Sequence, residues 1–446
     1  MAVLVPLMPM FGLQICLLIL ITKFFLKPKP KTIGFMHPNA SARGGGERVL
    51  WAMVQSIRKT CPEYEIFIYL RGDEVLSDSE IISSTKKCFG LELSDNPPKF
   101  VRINCCKFAD PHKWKFLTLL LEAMGTILAT AEAVLKCPPE IFIDTTGYGF
   151  ALIVPKVIST CKTMAYIHYP IISSDMINSI YSGAAFNNSN AISSSSVLKT
   201  AKFIYYKILH LLYKLSIYSC DHVWTNSTWT RNHIGDVEIL YPPCDTTPDA
   251  DLTKSRENLI ISVAQFRPEK NHPMLIEAFS DFLQKLDQPD YKLVMIGGCR
   301  NESDSSRMDN LKKLTEQLNI SEKVVFKPNL PFPELQEYQK QAKIGMHAMI
   351  NEHFGIVVVE FQANGVIPLA HRSAGPKEDI VQESKKFGFL AGSKQEFTEC
   401  LLNISRLSDE ELVIKRRDAW RHSQKFSHSS FVEKFGESIQ KHIHTN

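Results

Sequence analysis

Short apolar runs alternate along the chain with longer segments whose apolar positions recur every three or four residues. The runs at 32–36 (TIGFM), 65–70 (EIFIYL), 140–143 (EIFI), 164–167 (MAYI), 221–225 (DHVWT) and 238–241 (EILY) have the length of buried strands. Residues 47–57 read as a helix. Pro242-Pro243 and the polar stretch 245–254 then break the pattern. Beyond the break, strands are predicted at 258–263, 292–296, 323–326, 344–347 and 366–369, with helices at 273–286, 308–318 and 356–364 between them. Such alternation predicts parallel sheets covered by helices on both faces. The fold class expected is therefore α/β, with two doubly wound domains facing a cleft. The first spans 32–243 and the second 258–425, joined by a linker at 244–257. A closing helix at 426–446 can pack back on the first domain. Ligands of doubly wound sheets sit at the carboxyl ends of the strands.

Three segments depart from this alternation. Residues 1–22 carry no charge, and Lys23, Lys27, Lys29 and Lys31 follow with Pro28 and Pro30. A signal peptide carries its basic residues before the apolar run. Here they come after, so 1–31 reads as an uncleaved transmembrane anchor with its basic flank in the cytosol. The stretch 116–135 is apolar but holds Glu122 and Glu132, which favours a helix of the first domain over a second span. Residues 202–218 place Lys207, His210 and Lys214 on one helical face, which fits an interfacial helix or a core helix with a solvated edge. The Ser/Asn-rich 182–196 before it reads as a flexible loop.

Composition narrows the class further. With 44% hydrophobic and 22% charged residues the chain is globular rather than disordered. A net charge of +4 gives no support for a nucleic-acid protein. The 11 cysteines contain no C-x-x-C, so neither a zinc site nor a disulfide framework is indicated, in keeping with a cytosol-facing chain. Six N-x-S/T sequons are then incidental.

Candidate chemistry collects at predicted strand ends. Asn351-Glu352-His353-Phe354-Gly355 follows the strand at 344–347 and opens the helix at 356–364. Its N-terminus offers N–H groups and a positive dipole end to a diphosphate, while Glu352 and Glu360 can accept sugar or ribose hydroxyls. Arg267 and Lys270 follow the strand at 258–263 and can grip one phosphate group. Gly44-Gly45-Gly46 follows the first strand and permits close backbone approach, but it matches neither a dinucleotide fingerprint nor a P-loop. His168 ends the strand at 164–167. Asp249-x-Asp251 has the form of a metal-binding D-x-D, yet it lies in the linker with no strand leading into it, so no metal is expected there.

The triglycine after the first strand, R-x-x-K after the first strand of the second half and E-x7-E together resemble the retaining GT-B glycosyltransferases of the sucrose-synthase-like family. NASARGGGERVLW, YIHYPIISSDM, TNSTWTRNHI, YPPCD, SVAQFRPEKNHPMLI, VMIGGCRNE and HAMINEHFGIVVVEFQANGVIPLAHRSAGPKEDIV narrow the resemblance. They are similar to the GDP-mannose-dependent α-1,2-mannosyltransferases that extend dolichol-diphosphate-linked oligosaccharides. These segments span most of the chain after the anchor, and the low complexity of 182–196 is a departure. The resemblance implies two Rossmann-like domains and an enzyme of the endoplasmic reticulum membrane, single-pass, with its catalytic domains in the cytosol. GDP-mannose would be the donor and a dolichol-diphosphate-linked mannosyl oligosaccharide the acceptor, with no cofactor. Other mannosyltransferases of the same assembly route would be further partners.

By the same resemblance Arg267 and Lys270 hold the diphosphate and stabilise it as it leaves. Glu360 takes the ribose hydroxyls. Glu352 contacts the transferred mannose, with the N–H groups of Phe354 and Gly355 nearby. His168 faces the sugar from the first domain, and Gly45 and Gly46 lie beside the diphosphate or the acceptor. Two rival readings share the fold: a nucleotide-sugar epimerase or other lipid-acceptor glycosyltransferase, and an inactive membrane-tethered scaffold. The anchor argues against an epimerase, and the presence of Arg267, Lys270, Glu352 and Glu360 argues against a scaffold.

Overall fold

The computed structural model describes residues 22–42, 44–91, 96–172, 176, 196–246, 251–287 and 290–444. Residues 1–21 of the expected anchor, 182–195 of the polar loop and Asp249 lie outside the described residues. The chain forms two compact units. One comprises Met1–Asn226, Thr230–Leu240 and Val432–Asn446; the other comprises Ser227–Trp229 and Tyr241–Phe431.

The first unit holds seven strands: β1 (Lys29–Met36), β2 (Glu65–Arg71), β3 (Lys99–Ile103), β4 (Pro139–Asp144), β5 (Lys162–Ile167), β6 (His222–Thr225) and β7 (Glu238–Ile239). Their order is β3-β2-β1-β4-β5-β6-β7, and every pairing is parallel. The strand order reverses between β1 and β4, the place where such sheets bind ligands. Helix α1 (Gly45–Thr60) follows β1 and buries Val49, Leu50, Trp51, Met53, Val54 and Ile57. Strand β3 and the helix Asp78–Phe89 were not predicted. The former is a short edge strand, KFVRI, and the latter is mostly polar, so neither carries a strong apolar signal.

The segment predicted as a helix of the first domain is helix α2 (Thr118–Lys136). Glu132 stays at the end of its packed side, where its carboxylate accepts the backbone N–H groups of Asn104 and Cys105 at 3.1 and 2.7 Å. Ala123, Ala129, Ala133 and Val134 are buried, while Leu117, Met124, Leu128 and Leu135 are each about half exposed or more. By length and composition α2 is the one helix among the described residues able to cross a membrane. Helix α3 (Ser196–Tyr218) buries Tyr206, Leu209, Tyr213 and Ile217. Its outward positions Ile204, Ile208, Leu211, Leu215 and Tyr218 recur at helical spacing and form one exposed stripe. This inverts the usual surface helix, whose outward face is polar. Tyr205 Oη accepts the Leu120 N–H at 3.0 Å, tying α3 to α2.

Most of the closing helix α4 (His428–His444) belongs to this unit. Trp224 Nε1 donates to Ser438 Oγ at 2.9 Å, and Ser438 Oγ donates to Glu238 at 2.7 Å. His222 Nε2 lies 2.8 Å from the same carboxylate.

The second unit holds β8 (Glu257–Val263), β9 (Lys292–Gly297), β10 (Val324–Pro328), β11 (Ala342–His347), β12 (Ile367–His371) and β13 (Phe389–Ala391). Their order is β10-β9-β8-β11-β12-β13, again all parallel. The order reverses between β8 and β11. Buried Phe279, Phe282, Leu293, Met295, Ile344, Met346, Leu369 and Phe397 fill one core. The helices Lys394–Ser405 and Asp409–Ser423 and the three-residue β13 were not predicted; they are short or strongly charged.

Candidate active site

The carboxyl ends of β8 and β11, neighbours at the reversal of the second sheet, carry the expected residues. After β8 the chain makes a tight turn at Pro268–Lys270, and Asn271 adopts φ +51° before the helix His272–Gln284 begins. After β11 the chain turns through Asn351, at φ +55°, whose N–H donates to Ser373 Oγ at 2.8 Å. The two turns bring Lys270 and Glu352 together: Nζ lies 2.7 Å from Oε2. Met349 Sδ is 3.0 Å from the same Nζ.

His347, the last residue of β11, was missed by the sequence reading. Its Nε2 sits 2.9 Å from the same Oε2 of Glu352. A histidine ending a strand five residues before the glutamate was the available signal. Burial pushes the Glu352 carboxyl up, but the hydrogen bond from His347 and the nearby charges of His347 and Lys270 outweigh it and hold the group well below the ordinary carboxylate range. Around this pair, burial first and then the charges of His347 and Lys270 push His272 down to about 4. Burial likewise lowers His371, whose Nδ1 lies 2.8 Å from Ser373 Oγ.

Gly355 caps the helix Ile356–Ala363 with φ +106°, a conformation glycine adopts without strain. The Val358 and Val359 N–H groups donate to the Gly355 carbonyl at 2.9 and 3.3 Å, and the N–H groups ahead of them, at the very start of the helix, are the ones an α-helix leaves for a group beyond its end. Glu360 is half-buried in the second turn. The Phe354 side chain is core, packed against Tyr241 and Phe426. Arg267 is partly exposed, with a guanidinium nitrogen 3.9 Å from the Glu269 carboxylate. Close by, the buried Asp379 carboxylate accepts the Thr228 N–H and hydroxyl at 3.0 and 2.6 Å and the Tyr241 hydroxyl at 2.9 Å. The Trp229 ring lies 5.1 Å from that of His353.

In the first unit the triglycine follows β1, at the reversal, and His168 follows β5, one strand beyond β4. The Gly44 N–H donates to Glu47 Oε2 at 2.7 Å, which caps α1. A Cβ at Gly46 would lie 3.7 Å from His168 Nε2, so the triglycine and His168 are neighbours. His168 Nε2 is 3.1 Å from the Thr145 carbonyl. His37, unremarked in the sequence, bridges Thr145 Oγ1 at 2.9 Å and Glu47 Oε1 at 3.3 Å. Burial raises Glu47, and His37 and the Gly44 N–H more than reverse this. Asp144, buried at the end of β4, accepts the N–H groups of Thr146 and Gly147 at 3.3 and 3.0 Å; burial still pushes it up to about 7. In the linker, Asp251 accepts the Thr253 N–H and hydroxyl in a local turn.

Residues 30–238 match the family described as ALG11 mannosyltransferase N-terminus, and 245–424 match glycosyl transferases group 1. The GDP-Man:Man(3)GlcNAc(2)-PP-Dol alpha-1,2-mannosyltransferase of Homo sapiens is 39% identical over 427 residues, covering 92% of this chain and 86% of that protein. The Dictyostelium discoideum protein of the same name is 38% identical over 426 residues, covering 91% and 83%. The chain belongs to this family of α-1,2-mannosyltransferases.

Among solved structures, sucrose-phosphate synthase of Thermosynechococcus elongatus covers 93% of the mannosyltransferase and 99% of its own chain, with a TM-score of 0.67 and 14% identity. Anabaena HepE, solved with UDP and glucose, covers 92% and 99% with a TM-score of 0.58 at 14% identity. These likenesses bear on fold alone, and they agree with two Rossmann-like units of the GT-B class.

Proposed function

We propose that this mannosyltransferase moves mannose from GDP-mannose, with retention, onto a dolichol-diphosphate-linked oligosaccharide. The product is α-1,2-linked, and the step belongs to N-glycan precursor assembly on the cytosolic face of the endoplasmic reticulum. The observation that carries the reading is the meeting of Lys270 and Glu352 at the strand reversal of the second unit. A cation and a sugar-binding carboxylate beside a helix N-terminus suit a nucleoside-diphosphate sugar.

Arg267 and Lys270 stabilise the departing diphosphate, Glu352 accepts hydroxyls of the mannose, and Glu360 binds the ribose. Backbone N–H groups at Phe354 and Gly355 add positive potential. In the first unit, His168, Gly45 and Gly46 serve the incoming sugar and acceptor. The acceptor oxygen forms its bond to the anomeric carbon on the face from which GDP departs. The carbon–phosphate oxygen bond breaks, and the hydroxyl proton passes to the leaving phosphate. Positioning and electrostatic stabilisation supply the catalysis.

The lipid-borne acceptor accounts for the exposed apolar stripes of α2 and α3, which we assign to the bilayer surface, with Lys202, Lys207 and Lys214 flanking them towards headgroups. The test is incubation of purified protein with GDP-mannose and a panel of lipid-linked mannosyl acceptors, followed by linkage analysis. New α-1,2-mannose on one acceptor is expected; no transfer to any, or transfer with inversion, overturns the reading.

A further inference from the structure

We propose that His347 is a positioning residue for mannosyl transfer: it keeps Glu352 partnered and aimed when Lys270 swings from that carboxylate to the departing diphosphate. This rests on the roles proposed above for Lys270 and Glu352.

The geometry poses a problem that His347 resolves. Lys270 is engaged by Glu352 at 2.7 Å, and a lysine paired with a carboxylate is electrically compensated. To meet charge building on a leaving phosphate, its ammonium must turn away from Glu352. The carboxylate it leaves is mostly buried, and a buried charge that loses its partner is penalised heavily. His347 removes that penalty. Its Nε2 already reaches the same oxygen, Oε2, at 2.9 Å.

His347 is also fixed where Lys270 is not. Its side chain is only 3% exposed, and it ends β11, a strand paired on both sides by β8 and β12. Lys270 has a long side chain ending beside Met349, a partner easily exchanged. Both donors converge on Oε2, and Oε1 of Glu352 has no hydrogen-bond partner among the described residues. That leaves Oε1 to accept a sugar hydroxyl in a direction set by His347. The histidine itself touches neither donor nor acceptor sugar in this account; it acts through Glu352.

The test compares side chains that differ in reach. In His347→Gln the amide nitrogen falls near the place of Nε2 and can still donate to Oε2, whereas in His347→Asn it is too short. Using the purified full chain, His347→Asn and His347→Ala should lower kcat by about 10–100-fold, the usual cost of losing a partner that orients a functional group, with KM for GDP-mannose changed by less than about 3-fold. His347→Gln should recover most of the rate. In a Glu352→Gln background, His347→Ala should cost no more than about 2-fold, because a residue acting through Glu352 has nothing left to act on.

Equal rates for the Gln and Asn variants would overturn the proposal, as would an equal loss on His347→Ala in both backgrounds. A wild-type enzyme that is active and sensitive to Lys270→Ala, with His347 variants at full rate, defeats this inference alone. Absence of mannose transfer by the wild type defeats the functional reading beneath it.

Discussion

Replacing Lys270 by alanine removes the one ammonium placed against Glu352 among the described residues, and the expected loss can be worked from the geometry. A unit charge 4 Å from an anion is worth about 4 kcal/mol at an effective dielectric constant of 20. Only the part that grows as charge develops on the diphosphate lowers the barrier. Lys270 begins 2.7 Å from Glu352, so some of its field is spent in the ground state on the carboxylate. The net effect should therefore fall near the cost of removing one oxyanion-stabilising donor, about 3–4 kcal/mol, or roughly 10²–10³-fold in kcat.

The variant also leaves Glu352 as an anion held by His347, which opposes rather than aids departure of the diphosphate. Bare GDP should bind Lys270→Ala with much less loss than turnover suffers. Steady-state mannose transfer at varied GDP-mannose, beside calorimetric titration with GDP, separates the two. A change confined to KM, with kcat intact, would refute a leaving-group role.

Three further outcomes are expected. Asp144 is raised from an ordinary value near 4 to about 7 in the fold, so the native state holds a proton that the unfolded chain releases; stability should fall as pH rises from about 4 to 7, by roughly 4 kcal/mol at most, and Asp144→Asn should gain in melting temperature over wild type at pH 8 but not at pH 4. Changing Ile204, Ile208 and Leu211 together to serine should leave the fold intact, because these side chains are about half exposed or more, yet weaken vesicle binding by about 2–4 kcal/mol in flotation of a chain starting at Lys31; unchanged flotation would remove α3 from the membrane surface. Transfer at saturating GDP-mannose should survive chelation, since Lys270, Arg267 and the helix N-terminus at Gly355 provide positive potential, and loss restored by Mg²⁺ or Mn²⁺ would refute this.

Local pattern was enough for the class of this protein. Apolar runs of strand length separated by helical periodicity leave few alternatives to covered parallel sheets, because only that arrangement buries strands on both faces. Positions with backbone demands were equally legible. Gly355, at φ +106°, and the glutamate-bearing turn before it stand where a helix must begin. The family motifs are local too, since each is one strand end and the turn after it.

What adjoins what was decided by tertiary structure. Lys270 and Glu352 lie 82 positions apart and meet only because β8 pairs with β11 across the reversal, a long-range choice that no window of sequence contains. His347 looked like an ordinary strand residue until that pairing put the Lys270 ammonium on the other side of the same oxygen. Amphipathicity divided α3 into faces but not into inside and outside. The sequence drew the eye to Lys207, His210 and Lys214, whereas packing by Tyr206, Leu209, Tyr213 and Ile217 turned an aliphatic stripe outward. The closing helix shows the same limit. Its residues from Val432 onward join the first unit because Trp224 and Glu238 supply partners for Ser438, and those partners lie some 200 positions earlier in the chain. Local periodicity specifies which faces are apolar; the surface that covers each face is a property of the assembled chain.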